Sequence, residues 1–218
     1  MRVLVACESS GRVRDAFRAA GHDAVSCDVL PTEAPGPHIE GDVLPHLADG
    51  WDMIVAFPPC THLAVSGARH FAAKRADGRQ QEGIAFFLAI AAAPVAKLAI
   101  ENPVGIMSSL YRKPDQVIQP WQFGHDASKT TCLWLRGLPH LVPTDVLTMP
   151  ERGRWANQTA SGQNRLGPSP DRWKQRSATY PGIASAMAAQ WGGAPFAALP
   201  LFARLVEVGA NPAAPTAP

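Results

Sequence analysis

The sequence contains no long apolar run of the kind that crosses a membrane. The longest apolar stretch of helical character, residues 84–96, is too short to span a bilayer and contains Pro94. The apolar residues at the start of the chain, within MRVLVACESSG, are too few for a signal peptide. We therefore expect a soluble, cytoplasmic chain with no membrane partner.

Cysteine is also scarce, and its spacing does not suit a metal site. The four cysteines stand at positions 7, 27, 60 and 132, with no CxxC pair and no Cys/His pairing of zinc spacing. They lie in or beside apolar segments, which is typical of reduced thiols, and we expect no bound metal. A zinc deaminase is excluded as well, because PPCTHL lacks the second cysteine of the P-C-x-x-C motif.

The formal net charge is only +2, from 20 Lys and Arg against 18 Asp and Glu, so contact with nucleic acid would require local clustering of charge. Residues 151–176 form such a cluster, because six cationic side chains oppose two acidic ones and are interleaved with Trp155 and Trp173. Cations mixed with aromatic and amide side chains suit phosphate contact and base stacking. A solvated loop is the alternative interpretation of this segment.

Short apolar segments alternate with helix-like segments through the first two thirds of the chain, which predicts parallel strands joined by helices. The predicted strands cover residues 2–7, 22–28, 38–42, 52–57, 97–102 and 130–137, and the predicted helices cover 11–21, 80–93 and 182–192. The fold class is α/β, with a mostly parallel sheet covered on both faces. We predict one domain over residues 1–192 and a partly disordered tail over 193–218.

Small and polar residues follow the predicted strands, and ligands of open parallel sheets bind outside the carboxyl ends of the strands. The residues at these ends are Glu8, Ser9, Ser10, Gly11, Asp28, Asp42, Pro58, Pro59, Cys60, Glu101, Asn102 and Pro103. Asp28, at the end of the second strand, is placed to accept hydrogen bonds from a ribose. The first turn, ESSG, lacks the GxGxxG pattern of a dinucleotide site, which favours a nucleoside cofactor such as S-adenosylmethionine.

Cys60 and Glu101 follow strands that we predict to be neighbours, so both side chains should project into one cleft. A free thiol has a pKa of about 8.5 and must be partly ionised to act as a nucleophile, which a nearby cation promotes. Each residue also has a simpler interpretation, because such a cysteine is commonly a small core residue and such a glutamate commonly caps a helix or forms an ion pair. Their joint position at the ligand-binding ends of the strands favours a catalytic pair.

These motifs resemble those of the cytosine-C5 DNA methyltransferases, and in particular the short forms common in phages and prophages. FPPCTHLAVSG is similar to the Pro-Cys nucleophile loop of that family, with Cys60 as the nucleophile. ENP is similar to its Glu-Asn motif, with Glu101 and Asn102, and VACESSG stands where the family has its glycine-rich cofactor loop. The resemblance covers residues 1–192 and implies a Rossmann-like, S-adenosylmethionine-dependent methyltransferase fold.

The resemblance also implies roles for individual residues. The implied catalytic residues are Cys60, Glu101 and Asn102. The implied cofactor-binding residues are Cys7, Glu8, Ser9, Ser10, Gly11, Asp28, Asp42 and Pro58, with Asp42 on the adenine side. The implied DNA-binding residues are Pro59, Arg69, Lys129, Arg152, Arg154 and Arg165. The implied cofactor is S-adenosylmethionine or a modified sulfonium analogue, and the implied partner is DNA.

The chain departs from the family pattern at several places. Cys7, Glu8 and two serines occupy the first loop, where the family has a phenylalanine and more glycines. No Gln-x-Arg-x-Arg motif is evident, and SKTT at 128–131 leaves Lys129 as the candidate for contact with the target base. The large target-recognition domain is missing, so residues 138–177 are predicted to be a reduced recognition segment with a small footprint and short or relaxed sequence specificity.

The implied activity is transfer of a methyl group from S-adenosylmethionine to C5 of cytosine in DNA through a covalent adduct with Cys60. Residues 67–81, which carry several cations between glycines, are predicted to be a mobile loop that closes over DNA. Two related activities stay open, namely transfer of another group, such as carboxymethyl, from a modified sulfonium cofactor, and action on free cytosine nucleotides. A non-catalytic DNA-binding relative is the third alternative, against which Cys60 and Glu101 argue.

Overall fold

A central sheet organises the chain in the computed structural model, which describes residues 1–170 and 172–193. Its strands are β1 (Arg2–Ala6), β2 (Asp23–Asp28), β3 (His38–Glu40), β4 (Met53–Ala56), β5 (Lys97–Pro103), β6 (Gln116–Ile118) and β7 (Thr131–Arg136). The strand order is β3-β2-β1-β4-β5-β7-β6. β1 to β5 pair in parallel, and β7 lies antiparallel between β5 and β6. The predicted α/β fold, Rossmann-like with a mostly parallel sheet, is confirmed.

Helices connect the strands and cover the sheet. The α-helices in the described residues are α1 (Arg12–Ala19), α2 (Phe71–Ala76), α3 (Arg79–Ala91), α4 (Met107–Leu110), α5 (Arg172–Ser177) and α6 (Pro181–Trp191). Short 3-10 helices cover Leu44–His46, Val65–His70 and Pro120–Gln122. Residues 67–81, which we predicted to be a mobile loop, are therefore largely helical, because they form the end of one 3-10 helix, all of α2 and the start of α3.

The sheet is buried on both faces, as the apolar strands β1, β4 and β5 predicted. On one face, Phe17 of α1 packs with Met187 and Trp191 of α6 against alternate residues of the central strands. On the other face, Phe87 and Ile90 of α3 pack against the residues in between. Because both faces are covered by helices, the carboxyl edge of the sheet is where a ligand can approach the strands.

On one side of the sheet, the sequence did not predict one strand, β6, or the direction of another, β7. β6 is too short for its alternation to stand out, and we did not predict it. The segment predicted as a strand at 130–137 is β7, whose antiparallel direction we also did not predict.

Residues 138–177, the predicted recognition segment, are mostly irregular, and α5 is the α-helix found in their described part. The predicted disordered tail lies outside the described residues, apart from residue 193. Within residues 1–170 and 172–193, none of the helices has the length and apolar character needed to cross a membrane.

Candidate active site

The carboxyl ends of β1, β2, β4 and β5 open into one cleft of about 1220 Å³. A pocket for one small ligand measures roughly 300–1,000 Å³, so this cleft has room for a cofactor and a nucleobase together. The predicted site residues that border it are Cys7, Glu8, Ser9, Ser10, Asp28, Pro58, Pro59, Cys60, Glu101, Lys129 and Arg165. The predicted site residues outside its lining are Gly11, Asp42, Arg69, Asn102, Arg152 and Arg154.

Cys60 and Glu101 meet in this cleft because they follow neighbouring parallel strands. β4 ends four residues before Cys60, and Glu101 lies near the end of β5, which pairs with β4. Both side chains are partly buried. Cys60 directly follows the two prolines, and its carbonyl accepts the backbone N–H groups of Leu63 and Ala64 at 3.0 and 2.9 Å. The thiol is therefore carried by a hydrogen-bonded turn that borders the cleft.

Asn102, predicted to be catalytic, lies behind the cleft instead of bordering it. The residue is 1% exposed, and its Nδ2 donates a hydrogen bond to the Pro58 carbonyl at 2.8 Å. Successive residues of a strand point to opposite faces, so Glu101 and Asn102 necessarily diverge. The geometry makes Asn102 a support for the turn that carries Cys60.

The surroundings of Cys60 oppose its ionisation on balance. Burial raises the pKa of the thiol, and the negative charge of Glu101 raises it further, whereas Lys129 and Arg176 lower it. The cations near the thiol thus offset only part of the cost of forming a buried thiolate.

Glu101 is held toward its protonated form. Burial raises the pKa of its carboxyl group, against smaller lowering effects from the Lys129 charge and a hydrogen bond with Thr131. A protonated carboxyl can donate a hydrogen bond, and it also removes the negative charge that disfavours the Cys60 thiolate. Protonation of Glu101 thus favours the thiolate form of Cys60, and these are the protonation states that an acid and a nucleophile require.

The turn after β1 forms the opposite part of the cleft. The buried Glu8 carboxylate caps α1, because it accepts the backbone N–H groups of Val13 at 2.8 Å and Arg14 at 3.3 Å. The Ser10 hydroxyl also donates to it at 3.0 Å. Burial raises the pKa of Glu8 despite these hydrogen bonds. Gly11 begins the helix with a φ of 73°, a left-handed conformation that favours glycine.

Asp28 and Asp42, the two predicted cofactor acids, have different surroundings. Asp28 borders the cleft, and one carboxylate oxygen accepts the Leu30 N–H at 3.0 Å. Burial raises the pKa of Asp28. Asp42 is exposed, and its Oδ1 accepts the Leu44 N–H at 3.0 Å, which caps a short 3-10 helix. Of the two acids, only Asp28 is part of the cleft lining.

Arg14 is a buried structural residue that we did not single out from the sequence. Its side chain is fully buried, and its guanidinium donates to the Thr32 hydroxyl and the Ala34 carbonyl, each at 3.0 Å. It thereby ties α1 to the loop that follows Asp28. In the sequence, the feature that could have indicated this burial is the position of Arg14 next to Val13, which lies on the apolar face of α1.

The basic segment 151–176 is docked on the loop before β7. The Asn157 side chain accepts the Ser128 N–H at 2.9 Å and donates to the Ser128 carbonyl at 2.8 Å. Trp155 is buried and stacks on Trp121, with ring centroids 5.8 Å apart. Trp155 is therefore committed to packing, whereas Trp173 is 52% exposed and borders the cleft.

The cations of the basic segment differ in their availability. Arg152 pairs with Asp126, and Arg165 borders the cleft while donating to the Ala156 carbonyl at 3.3 Å. Arg154 is exposed and outside the lining. Arg176, which we did not single out, also borders the cleft.

Arg69 lies on the exposed 3-10 helix Val65–His70, and its Nε donates to the His70 ring at 2.9 Å. It is two residues beyond Gly67, which borders the cleft. Arg69 is thus placed at the rim rather than inside.

No protein-family model matches this chain, and no curated protein matches it either. Among solved structures, it is similar to a protein from Escherichia coli that is described as a DNA modification methyltransferase encoded within a prophage. The TM-score is 0.47 and the identity 15%, over 70% of this chain and 53% of the other. The chain thus spans about half the length of that protein.

Proposed function

We propose that the protein transfers a methyl group from S-adenosylmethionine to C5 of cytosine in DNA, with Cys60 as the nucleophile. The observation that carries the proposal is that a thiol and a carboxyl group of raised pKa, Cys60 and Glu101, border the same cleft as Asp28. A nucleophile, an acid and a ribose-binding group are three of the functions that this reaction requires of the protein.

The cofactor half of the cleft suits a nucleoside with a short charged arm. Asp28 would accept the ribose hydroxyls, because it borders the cleft at the end of β2, the strand next to β1 and its turn. The turn from Cys7 to Ser10 would surround the amino-acid arm of the cofactor, because all of its residues border the cleft. When bound, S-adenosylmethionine supplies an electrophilic methyl group.

The cysteine overcomes the weak nucleophilicity of cytosine C5. The Cys60 thiolate adds to C6 of the base, which converts the ring into an enamine whose C5 is nucleophilic. The protonated Glu101 donates a hydrogen bond to N3 and stabilises the charge that develops there. C5 then takes the methyl group, and the sulfonium leaves as a neutral thioether. Water takes the C5 proton, and the electron pair of the C5–H bond restores the C5=C6 double bond and expels the Cys60 thiolate.

The target base must leave the duplex, because C6 is not accessible inside the stack, and flipping costs a few kcal/mol. Lys129, Arg165 and Arg176 border the cleft and would hold the phosphates of the flipped nucleotide. Arg69 and Arg154 are exposed outside the cleft, where a single nucleotide does not reach but neighbouring phosphates of a strand do. This distribution of charge favours DNA over a free nucleotide.

Mass spectrometry of the nucleosides in treated DNA tests the proposed function. Cytosine-containing duplex DNA incubated with the protein and S-adenosylmethionine should yield 5-methyldeoxycytidine, and parallel reactions would contain dCMP or a carboxylated sulfonium cofactor. Cys60→Ala is the control and should yield no modification. A product on dCMP alone, or from the carboxylated cofactor alone, would replace the proposal with that alternative. No product in any reaction would leave a non-catalytic DNA-binding protein.

The salt dependence of DNA binding should identify the cations that contact phosphates. Each neutralised phosphate contributes about 0.9 to the slope of log K against log salt, so Arg165→Ala with Arg176→Ala should flatten the slope by up to about two units. Arg152 should matter less, because it is paired with Asp126. Filter binding on one duplex over a range of salt concentrations measures the slope.

The matched control for this pair is Arg18→Ala with Lys113→Ala. Arg18 lies in the last turn of α1, and Lys113 precedes β6, so both are near the amino edge of the sheet, away from the cleft. Equal slopes for the two double variants would show that segment 151–176 does not contact DNA.

A further inference from the structure

Lys74 and Gln80 are buried polar side chains that no step of the proposed reaction uses. Lys74 on α2 is 8% exposed, and Gln80 on α3 is 4% exposed. Burial of an ammonium group is costly unless the group is hydrogen-bonded, and the same applies more weakly to an amide. The partners of these two side chains therefore indicate what their burial achieves.

Both side chains donate hydrogen bonds to the two backbone carbonyls that directly follow Cys60. Lys74 Nζ donates to the Thr61 carbonyl, and Gln80 Nε2 donates to the His62 carbonyl at 3.1 Å. These contacts come from α2 and α3, which follow the turn in sequence. Neither side chain borders the cleft, so both hold the turn that carries the thiol from outside it.

The rest of the turn is anchored by the end of β5 and by the segment that follows this strand. Asn102 holds the Pro58 carbonyl before Cys60, and Ile106 N–H donates to the Leu63 carbonyl at 3.0 Å after it. A Cβ at Gly105 would lie 2.4 Å from the Leu63 carbonyl oxygen, so this approach requires glycine. Lys74 and Gln80 complete the anchoring by fixing residues 61 and 62 between these two contacts.

We propose that Lys74 and Gln80 are positioning residues that hold the Cys60 turn in the conformation that presents its thiol to the cleft. The catalytic consequence of this inference rests on the proposed function. If the carbonyls of Thr61 and His62 rotated freely, the hydrogen bonds that the Leu63 and Ala64 N–H groups donate to the Cys60 carbonyl would open. The thiol would then no longer be held in one orientation toward the cleft. A misplacement of a reacting group by about 1 Å can cost about 100-fold in rate.

Hydrogen exchange and kinetics of Lys74→Met and Gln80→Ala test the inference. The amides of Leu63 and Ala64 should exchange about tenfold faster in Lys74→Met, because it loses a hydrogen bond from a charged donor, and by a smaller factor in Gln80→Ala. In both variants kcat should fall by about tenfold or more, with the KM for DNA within about twofold. Lys74→Arg keeps a cationic donor and should recover part of kcat. Lys113→Met and Gln81→Ala, which change exposed residues, are the matched controls.

Unchanged exchange at Leu63 and Ala64, or faster exchange with an unchanged kcat, would overturn the inference. If Lys74→Met does not fold, Gln80→Ala carries the test, because it removes a neutral side chain. An inactive wild-type protein would refute the proposed function instead, and the exchange rates would still show whether the two side chains hold the turn.

Discussion

Replacing Cys60 by serine should abolish methyl transfer, with a loss of about 10⁴-fold or more, while the fold stays intact. A thiolate is a strong nucleophile, whereas a serine hydroxyl is not ionised near neutral pH, and the raised pKa of the neighbouring Glu101 holds that carboxyl group toward the protonated form, which cannot take the serine proton. The variant should also fail to form the covalent complex that traps the enzyme on duplex DNA containing 5-fluorocytosine. Denaturing gel electrophoresis detects this complex as a shifted band.

Cys27→Ser is the matched control for this experiment. Cys27 is a buried cysteine on β2 whose thiol donates to the Gly41 carbonyl, a bond that serine can also make. It should keep its activity within a few-fold and should still be trapped. Activity of Cys60→Ala within a factor of ten of the wild type would show that the covalent mechanism is wrong.

Glu101→Gln should lower kcat by about 10²–10⁴-fold, the range for loss of a general acid. Glutamine has nearly the same shape as glutamate, so the fold and the binding of cofactor should be preserved, but it cannot supply a proton to N3. Single-turnover transfer from labelled S-adenosylmethionine measures this loss. A variant that stays within a few-fold of the wild type would remove Glu101 from the reaction.

The same substitution should lower the pKa of Cys60, because the ionised Glu101 carboxylate opposes the thiolate. Lys129→Met should shift the thiol pKa upward, because it removes a positive charge that favours the thiolate. The rate of iodoacetamide labelling of the Cys60 peptide against pH gives both shifts. Shifts in the same direction for the two variants would contradict the proposed coupling.

The pH dependence of transfer follows from the same two groups. The active state of the pair holds one proton, on Glu101, so the rate should fall at low pH, where Cys60 is protonated as well and the thiolate is lost. It should also fall at high pH, where both groups are ionised and the hydrogen-bond donor at N3 is lost. Because the two groups interact, the two limbs of the pH–rate profile report pKa values of the pair. Burial raises the pKa of both groups, so both limbs should lie at higher pH than for an exposed thiol and an exposed carboxyl group.

Local patterns in the sequence were sufficient to predict the central strands and the position of the two reactive groups. β1, β4 and β5 are contiguous apolar runs with polar residues directly after them, and parallel strands bring such residues to one edge. β4 is one residue shorter than predicted at each end, and β5 extends one residue further at its carboxyl end. Local patterns were therefore enough to predict that Cys60 and Glu101 border the same cleft.

Local patterns did not predict the partners of individual side chains near that cleft. From the sequence, Arg152 and Trp155 belong to a basic, aromatic segment suited to nucleic acid. In the structure, Arg152 pairs with Asp126 and Trp155 stacks on Trp121, because the segment docks on a loop far earlier in the chain. Lys74 looked like a surface cation of a mobile loop, yet it is buried against the Thr61 carbonyl.

The sequence by itself determined the α/β class and the edge of the sheet at which the cleft lies, because strand periodicity and the polar residues at strand ends can be recognised from neighbouring positions in the sequence. Only the tertiary structure decided the direction of β7, the burial of Lys74 and Arg14, and the division of the cations between ion pairs and the cleft. These features depend on partners that are distant in sequence, and a buried charge is stable only where such a partner is present. The residues next to a buried charge in the sequence do not identify its distant partner.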